Sequence, residues 1–283
     1  WRMRGEAPSQ HDFDHVYTHQ LYAGFGHKQF GELTYGNMVT ITDEVKQSDL
    51  ANTYSLTDGL LETSARRVTQ YVYNGDYGSN KVKFGAYYGG SSKRNIKNVD
   101  LKNNRKNTWG TGLIFNHEID SIQNVTVAAG FTRQISENAN KTAYYSNAYA
   151  LGLAYNFVHT TYGLDLAHKD TKNKGGAGNK VKNNEVTAVI SQGLNEDWNV
   201  YAMYSYKTEK TLPVGSAYSK STDRQFLVGT EYYVFKQGSV KVKPFIEWQA
   251  TRTKYENTFD KDSGKQLDRS RDFKTVIGLR AYW

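Results

Sequence analysis

The sequence has no cysteine and no long apolar stretch, and these two absences exclude several classes of protein. Its 283 residues include no cysteine and only three prolines. Without cysteine the chain has no disulfide, no thiolate metal ligand and no cysteine nucleophile. No run of about 18 apolar residues occurs, so a transmembrane helix is excluded. Any structure in this chain that spans a membrane must therefore be built from strands.

Motifs typical of enzymes and metal sites are also missing. The chain contains neither His-Glu-x-x-His nor Gly-x-Ser-x-Gly. His11, His15 and His19 recur every four residues. Four residues of strand separate two side chains by about 13 Å, which is too far for one metal ion. We therefore predict no enzyme activity, no cofactor and no metal site.

Aromatic and charged residues, by contrast, are abundant. Aromatic residues make up 14% of the chain, with 22 tyrosines, while 23% of residues are charged and the mean hydropathy is −0.72. A soluble globular chain this polar would not easily bury so many tyrosines. A β-barrel with a wet interior, an apolar outer face and belts of aromatic residues requires this mixture.

Period-two alternation in segments of about 10 residues is the main structural signal, and that length of tilted strand crosses a bilayer. From Tyr149 to Phe157, one parity carries Tyr, Leu, Leu, Tyr and Phe, and the other carries Ala, Gly, Ala and Asn. The large apolar side would face lipid and the small or polar side a lumen. Alternation predicts thirteen strands, near residues 15–28, 30–41, 66–76, 79–91, 108–119, 122–136, 143–157, 159–171, 184–195, 197–209, 222–237, 239–254 and 271–283.

The predicted connections alternate between short turns and longer polar loops. Outer-membrane barrels typically have short turns on one side of the membrane and long loops on the other. We therefore predict an all-β fold, with one transmembrane antiparallel β-barrel domain over residues 1–283. Pro244 is expected to weaken the strand that contains it, because proline cannot donate a ladder hydrogen bond. The longer loops are predicted at residues 92–107, 172–183, 210–221 and 255–270.

The N-terminal segment is too short to complete this barrel. Residues 1–6 have the pattern of a strand fragment, whereas a spanning strand needs about 9–11 residues. No cleavable signal peptide is visible either, because Trp1 is followed directly by polar sequence. We expect a mature or shortened chain whose first strands precede Trp1. Fourteen or sixteen strands in the complete barrel both satisfy the even number that such barrels have.

The C-terminal segment alternates to the end of the chain and closes on an aromatic residue. Trp283, Leu279, Ile277 and Phe273 share one face, and Arg280 lies on the other. Ending on an aromatic residue at the close of such a strand resembles the terminal signal that the outer-membrane assembly machinery reads. Most barrels carry phenylalanine there, so the tryptophan is a departure.

Several stretches resemble the general diffusion porins of Gram-negative bacteria, which are trimers of sixteen-stranded barrels. The resemblance rests on residues 21–25, 30–37 and 277–283, and on the order strand, turn, strand, acidic loop and arginine-bearing strand. It implies a bacterial outer-membrane location and a homotrimer surrounded by outer-membrane lipid and lipopolysaccharide. It also implies a water-filled channel for passive diffusion of small hydrophilic solutes and ions, with three strands' worth of family sequence represented only by residues 1–6.

The longest segment without alternation, residues 42–65, is acidic. It carries one lysine, Lys46, against five acids: Asp43, Glu44, Asp49, Asp58 and Glu62. The resemblance implies that this loop folds into the barrel and narrows it, with its acids facing arginines on the opposite wall. Charges across a narrow gap set ion preference. An ordinary extracellular loop is the alternative.

Cations of the predicted pore wall lie outside this loop. Arg66 opens the strand that follows it, at the position where the family carries an arginine. Parity predicts further lumen-facing acids at Asp165, Glu231 and Glu247, and cations at Lys207 and Lys274. The complete set of predicted pore-wall cations is Arg66, Arg2, Arg4, Lys81, Lys83, Lys241, Lys243 and Arg280.

The formal net charge of +8 leaves several interpretations open. Solvated loop lysines would meet anionic outer-leaflet lipid, or an electropositive pore would favour anions. Nucleic-acid binding is disfavoured because the lysines are dispersed instead of forming one stripe. We predict a weakly anion-preferring diffusion channel. The alternatives are a channel specific for acidic sugars or oligosaccharides, and a non-conducting adhesin barrel whose basic loops bind a host or lipopolysaccharide.

Overall fold

The computed structural model describes residues 2–3, 16–17, 20–91, 103–138, 143–173, 180–212, 218–257 and 266–282. Within these ranges no helix has the length and apolar character needed to cross a membrane. The strands are β1 (Arg2–Met3), β2 (Val16–Tyr17), β3 (Leu21–His27), β4 (Gly31–Val39), β5 (Ser64–Tyr77), β6 (Asn80–Gly89), β7 (Asn103–Asp120), β8 (Gln123–Asn138), β9 (Ala143–Phe157), β10 (Thr160–Asn173), β11 (Lys180–Gly193), β12 (Trp198–Leu212), β13 (Ser219–Tyr232), β14 (Phe235–Gln237), β15 (Val240–Asn257) and β16 (Gln266–Tyr282). A single turn of 3-10 helix spans Ile41–Val45.

One antiparallel sheet contains the fourteen strands from β3 to β16. Each strand pairs with its sequence neighbour, as in a meander, except that β15 pairs with β13, β14 and β16. Strands β1 and β2 form a separate two-stranded sheet. The all-β antiparallel architecture predicted from alternation is confirmed by this sheet. Tight turns join the strands at one end, and the longer connections, including residues 40–63, lie at the other.

The predicted strand at residues 222–237 is interrupted in the structure. Strand β13 pairs with β15 as far as Phe245, and β14 resumes the pairing at Val242. Pro244 lies opposite the break, and it has no N–H to donate across the ladder. The Tyr233 N–H turns away and donates to the Asp197 carbonyl at 2.9 Å. The proline therefore disturbs the neighbouring strand more than its own, because β15 continues through Pro244 to Asn257.

The long strands are also longer than alternation predicted. Strand β7 begins at Asn103 and not near residue 108, and β16 begins at Gln266 and not near residue 271. The added residues are polar except Leu267, and they extend the hairpins beyond the apolar band. Hydrophobic alternation detects only the part of a strand that contacts lipid, which explains the shortfall.

The two faces of the sheet differ as the alternation predicts. Large apolar side chains such as Leu151, Ile190 and Phe226 are exposed on the outer face. Ring contacts connect Trp109, Phe131 and Tyr149 on three neighbouring strands, and Phe226, Trp248 and Phe273 on three others. The inner face is mainly small or polar, and its large apolar side chains, such as Met203 and Leu227, are buried. An apolar outer band with rows of aromatic rings is the surface that a barrel presents to lipid.

Strands β3 and β16 lie at the two edges of the sheet. On β16, Phe273, Ile277 and Leu279 are exposed on the outer face, whereas a Cβ on Gly278 would meet the inward-facing Phe245 ring. The parity predicted for the C-terminal segment is therefore present in the described part of the strand. Trp283 lies outside the described residues. So do Arg4, the side chain of Arg2 and the three repeating histidines.

Candidate functional site

Residues 40–63, called the inner loop below, leave β4 and return to β5 along the inner face of the sheet. The loop is closed at its base, where the Thr40 N–H donates to the Thr63 carbonyl at 2.8 Å. The Thr42 hydroxyl donates to the Glu62 carbonyl at 2.7 Å. These bonds hold the two ends of the loop together, so the segment between them crosses the inner wall as one unit.

The first half of the loop lies on a track of glycines, one from each of the strands β6 to β10. A Cβ on Gly85 would lie 3.0 Å from the Ile41 Cβ, and one on Gly130 would lie 2.8 Å from Val45 Cγ2. Ile41 and Val45 are buried by this contact. The remaining glycines of the track, which face the loop in the same way, are Gly112, Gly152 and Gly163. The small inward residues therefore make room for the loop backbone.

Apolar side chains of the loop fill the spaces beside this track. Val45 and Leu61 pack with Ala128 and Ala148 on the wall. Further along, Leu56 is completely buried in a second cluster, with Val189, Tyr201, Met203 and Leu227. Burying an aliphatic side chain of this size is worth about 1.5–3 kcal/mol relative to exposing it. The loop is thus attached to the wall by a core of its own.

Asp165 on β10 binds the loop backbone at its first bend. Its carboxylate accepts hydrogen bonds from the Gln47 N–H at 2.9 Å, the Ser48 N–H at 2.8 Å and the Ser48 hydroxyl at 2.5 Å. Three donors converging on one carboxylate replace the water that it loses on burial.

Glu247 on β15 binds the tip of the loop in the same manner. Its two oxygens accept from the backbone N–H groups of Asn52, Thr53 and Tyr54, at 2.5, 3.0 and 2.9 Å. The Tyr201 hydroxyl donates to it at 2.7 Å. Glu247 is fully buried by these contacts.

Two further wall acids complete this arrangement. Glu185 on β11 accepts from the Asp58 N–H at 2.8 Å and the Gly59 N–H at 3.3 Å. Glu231 on β13 accepts from the Asn52 side-chain amide at 2.6 Å and pairs with Lys243 at 2.5 Å. Asp165, Glu185, Glu231 and Glu247 are called the wall carboxylates below.

The acids of the loop itself pair with lysines. Three of them reach the wall, since Glu44 lies 2.5 Å from Lys83, Asp58 lies 2.6 Å from Lys207, and Glu62 lies 3.2 Å from Lys169. The other two, Asp43 and Asp49, flank Lys46 at 3.5 and 3.6 Å. The geometry brings all five predicted loop acids to the inner face, with lysines as their partners.

The predicted arginine at the start of β5 lies apart from these pairs. Among the described residues, no ion pair joins Arg66 to a loop acid. The register shifts between Gly36 and Met38, and Arg67 takes a left-handed backbone conformation with φ of 55°. Ala65 and Val68, on either side of this bulge, pack in the inward cluster with Ile41, and Arg66 is exposed between them. A bulge redirects the side chains that simple alternation would assign to one face.

The remaining predicted cations fall into several environments. Lys81 pairs with Glu118 at 2.5 Å near the tight-turn end, and Lys243 is buried beside Glu231. Arg280 on β16 donates to the Asn52 carbonyl at 2.6 Å, so it contacts the tip of the loop. Lys241 is exposed near the turn between β14 and β15.

Sequence reasoning missed Glu185, Lys169 and Tyr201. Glu185 alternates with exposed apolar residues on β11, so its inward parity was visible in the sequence. Its partner could not be seen, because Asp58 lies 127 positions away along the chain. Among the described residues, no cluster of three or more His, Asp or Glu side chains is arranged to hold a metal ion.

A family model and two known proteins match this chain. A family model of Gram-negative porins matches residues 4–244. The major outer membrane protein of Pasteurella multocida is 23% identical over 274 residues, covering 95% of this chain and 68% of that protein. The corresponding protein of strain Pm70 is 22% identical over 258 residues, covering 86% of this chain and 67% of that one.

Solved structures share the fold. In vitro folded OmpT, an outer membrane protein of Vibrio cholerae, superposes with a TM-score of 0.64 at 17% identity, covering 94% of this chain and 80% of that chain. A trimer form of OmpT superposes with a TM-score of 0.60 at 15% identity, covering 90% of this chain and 77% of that chain. An anion-selective porin from Comamonas acidovorans superposes with a TM-score of 0.53 at 14% identity, covering 90% of this chain and 74% of that chain.

Proposed function

Since this chain belongs to the Gram-negative porin family and forms a passive-diffusion channel in the bacterial outer membrane, we propose that the inner loop is the constriction of that channel. The observation that carries the proposal is the seating of the loop tip on Glu247, where three consecutive backbone N–H groups converge on one carboxylate. A loop held in this way narrows the lumen permanently. Solutes would then be screened by size and charge, without chemical turnover.

The constriction is tested by removing its attachment and measuring single-channel conductance in planar bilayers. Deleting the Glu247 carboxylate should raise the conductance and its noise, because the loop tip loses its acceptors. Unchanged conductance in a correctly folded channel would contradict the proposal. Saturable block by an acidic sugar would indicate instead a channel specific for that class of solute.

We further propose a weak preference for anions. The loop acids lie within 3.6 Å of lysines, so their charges are largely compensated, and the wall carboxylates are buried beneath the loop. Arg280 and Lys241 are exposed and have the inward parity of their strands, and no described acid forms an ion pair with either of them. A resemblance to a solved anion-selective porin agrees with this sign. The reversal potential in a salt gradient tests it, and clear cation selectivity would overturn it.

A homotrimer is the assembly that we propose, because a trimer form exists for a protein of the same fold. The exposed outer faces of β3 and β4, with Leu21, Phe25 and Leu33, are suited to contact either a protomer or lipid. Chemical cross-linking of the purified protein, followed by mass analysis, distinguishes a trimer from a monomer. The outward-facing Phe273 and the C-terminal Trp283 remain our predicted signal for the assembly machinery.

A further inference from the structure

Three arginines lie side by side on the outer face of the sheet. The strand register places Arg224 of β13 directly opposite Arg252 of β15, and Arg252 directly opposite Arg271 of β16. All three are exposed. On β13 and β16, Phe226 and Phe273 have the same parity and are exposed on the outer face. These residues, called the arginine row below, therefore point away from the channel.

The row is electrostatically unfavourable as it stands. Neighbouring strands are about 4.8 Å apart, so three positive charges lie within roughly 10 Å of one another. Like charges directly opposite each other destabilise a sheet. Among the described residues, no carboxylate forms an ion pair with any of the three. Arg224 makes a cation–π contact with Tyr206, with its guanidinium carbon 5.9 Å from the ring centre. An external anion would relieve this repulsion.

An apolar cleft lies directly beside the row. The three arginines line one side of an open cleft of about 200 Å³, and the rings of Tyr204, Phe226 and Phe273 line the other. Guanidinium groups bind phosphate oxygens through two parallel hydrogen bonds, whereas the rings offer an apolar surface. The cleft therefore combines the two chemistries of a phosphorylated lipid, a charged headgroup and an acyl chain.

The depth of the row in the membrane fits the same ligand. From Arg271 to Tyr282, β16 covers the roughly 9–11 residues that a tilted strand needs to cross the hydrocarbon. Arg271 lies on the side of the long connections, which face the outside in outer-membrane barrels. The row is thus at the level of the headgroups of the outer leaflet. Along the strands, Phe226 and Phe273 lie two residues deeper than Arg224 and Arg271, or roughly 7 Å.

We propose that the arginine row and its cleft bind a phosphorylated glycolipid of the outer leaflet, lipopolysaccharide. The arginines hold a phosphate of its lipid anchor, and one acyl chain lies against the rings of Tyr204, Phe226 and Phe273. The site is on the outside of the wall and is independent of the constriction, so the two proposals can fail separately.

The chain offers a matched control for this site. Arg133 on β8 also lies on the outer face, two residues along the strand from Phe131 and nearer the long connections. Its guanidinium carbon lies 5.6 Å from the centre of the Tyr145 ring. Its register partners are Trp109 and Asn147, so no second arginine lies opposite it. Arg133→Gln therefore removes one outward charge at a similar depth without touching a charge cluster.

The test compares the wild-type protein, the triple variant R224Q/R252Q/R271Q, the single variant Arg252→Gln and the control Arg133→Gln. Binding of purified lipopolysaccharide, of its dephosphorylated form and of phosphatidylglycerol is measured by native mass spectrometry or titration in detergent. We expect the triple variant to lose affinity for lipopolysaccharide by roughly tenfold or more, because charge-assisted bonds are lost. Arg252→Gln should lose part of it, and Arg133→Gln should bind as the wild type does.

The outcomes separate the possible occupants. Equal binding of dephosphorylated lipopolysaccharide, or an equal loss in Arg133→Gln, would overturn the proposal. Phosphatidylglycerol bound as tightly as lipopolysaccharide would contradict the choice of a glycolipid. Loss of the oligomer with unchanged lipid affinity would show that the row faces a neighbouring protomer. Single-channel conductance of the triple variant should stay at the wild-type value, which verifies that the variant is folded. If the triple variant does not fold, Arg252→Gln is used alone, with the same conductance check.

Discussion

The wall carboxylates and the loop carboxylates lie on the same inner surface but have different environments. Each wall carboxylate is buried, with exposed fractions from 0% for Glu247 to 8% for Glu231, and accepts hydrogen bonds from the inner loop. The loop acids keep more of their side chains exposed, as Asp58 does at 62%, and pair with lysines. One set holds the loop in place, and the other keeps contact with solvent.

This difference decides what each acid can control. A buried carboxylate cannot be removed without leaving its hydrogen-bond donors unpaired, at a cost of about 1–3 kcal/mol for each donor. An exposed ion pair contributes roughly 0–1 kcal/mol, because water screens it. The wall carboxylates should therefore determine the position of the loop and hence conductance. The loop acids should determine the local potential and hence ion preference.

The largest effect is expected for Glu247→Ala. This change leaves the N–H groups of Asn52, Thr53 and Tyr54 without their acceptor, so the loop tip should detach from β15. Single-channel recordings should show a conductance roughly doubled or higher, with increased noise, since a mobile loop no longer narrows the lumen. Gln249→Ala is the control, because Gln249 is also inward on β15 and makes no hydrogen bond to the loop within the described residues. Equal changes in both variants would contradict the proposed role of Glu247.

A smaller effect, on stability, is expected for Gly152→Val. A Cβ at this position would lie only 2.1 Å from the Val45 carbonyl oxygen, so the first half of the loop must move away from the wall. Overpacking of this kind costs about 1–3 kcal/mol. Thermal unfolding monitored by circular dichroism should show a lowered midpoint. Gly90→Ala, where a Cβ meets nothing within 4 Å, should leave the midpoint unchanged.

Ion preference should respond to Asp58 and Lys207 with little change in conductance. Asp58→Asn leaves the Lys207 charge unpaired and should shift the reversal potential towards anions. Lys207→Gln should shift it towards cations. Each change in permeability ratio should be about twofold or less, because the Asp58 side chain is 62% exposed and water screens its charge. A shift of the same sign in both variants would show that structure, and not charge, had changed.

The smallest shift is expected for Arg66→Ala. Arg66 is exposed at the bulge of β5, and no described acid of the inner loop pairs with it. Its charge should therefore act only through water. A shift in reversal potential larger than that of Lys207→Gln would place Arg66 at the narrow point after all, as the family resemblance implies.

Most of the sheet could be predicted from sequence because strand alternation is a local property. Alternating residues report which face contacts lipid, and β9 shows this over its full length. Two departures depend on neighbours instead. The break between β13 and β14 arises opposite Pro244 on another strand, and the bulge beside Arg66 depends on the register with β4.

The candidate site was less accessible to sequence reasoning. Gly130 and Gly152 have the pattern of a small-residue lumen lining, and nothing local indicates that Val45 lies on them. Asp165 and Glu247 were placed on the inner face correctly, but their loop partners are 117 and 195 positions away. The infolding of the loop came from resemblance, because contacts at such separation leave no periodic pattern.

The position of the inner loop can be tested most directly by a disulfide, because the chain has no cysteine of its own. A Cβ at Gly130 would lie 2.8 Å from Val45 Cγ2, a separation that a disulfide between two cysteines can bridge. In the variant V45C/G130C, we predict that oxidation joins the loop to β8 in the folded protein and leaves single-channel conductance unchanged. If both thiols stay reactive towards a maleimide after oxidation of a folded, conducting channel, the loop does not lie on the inner wall and is not the constriction.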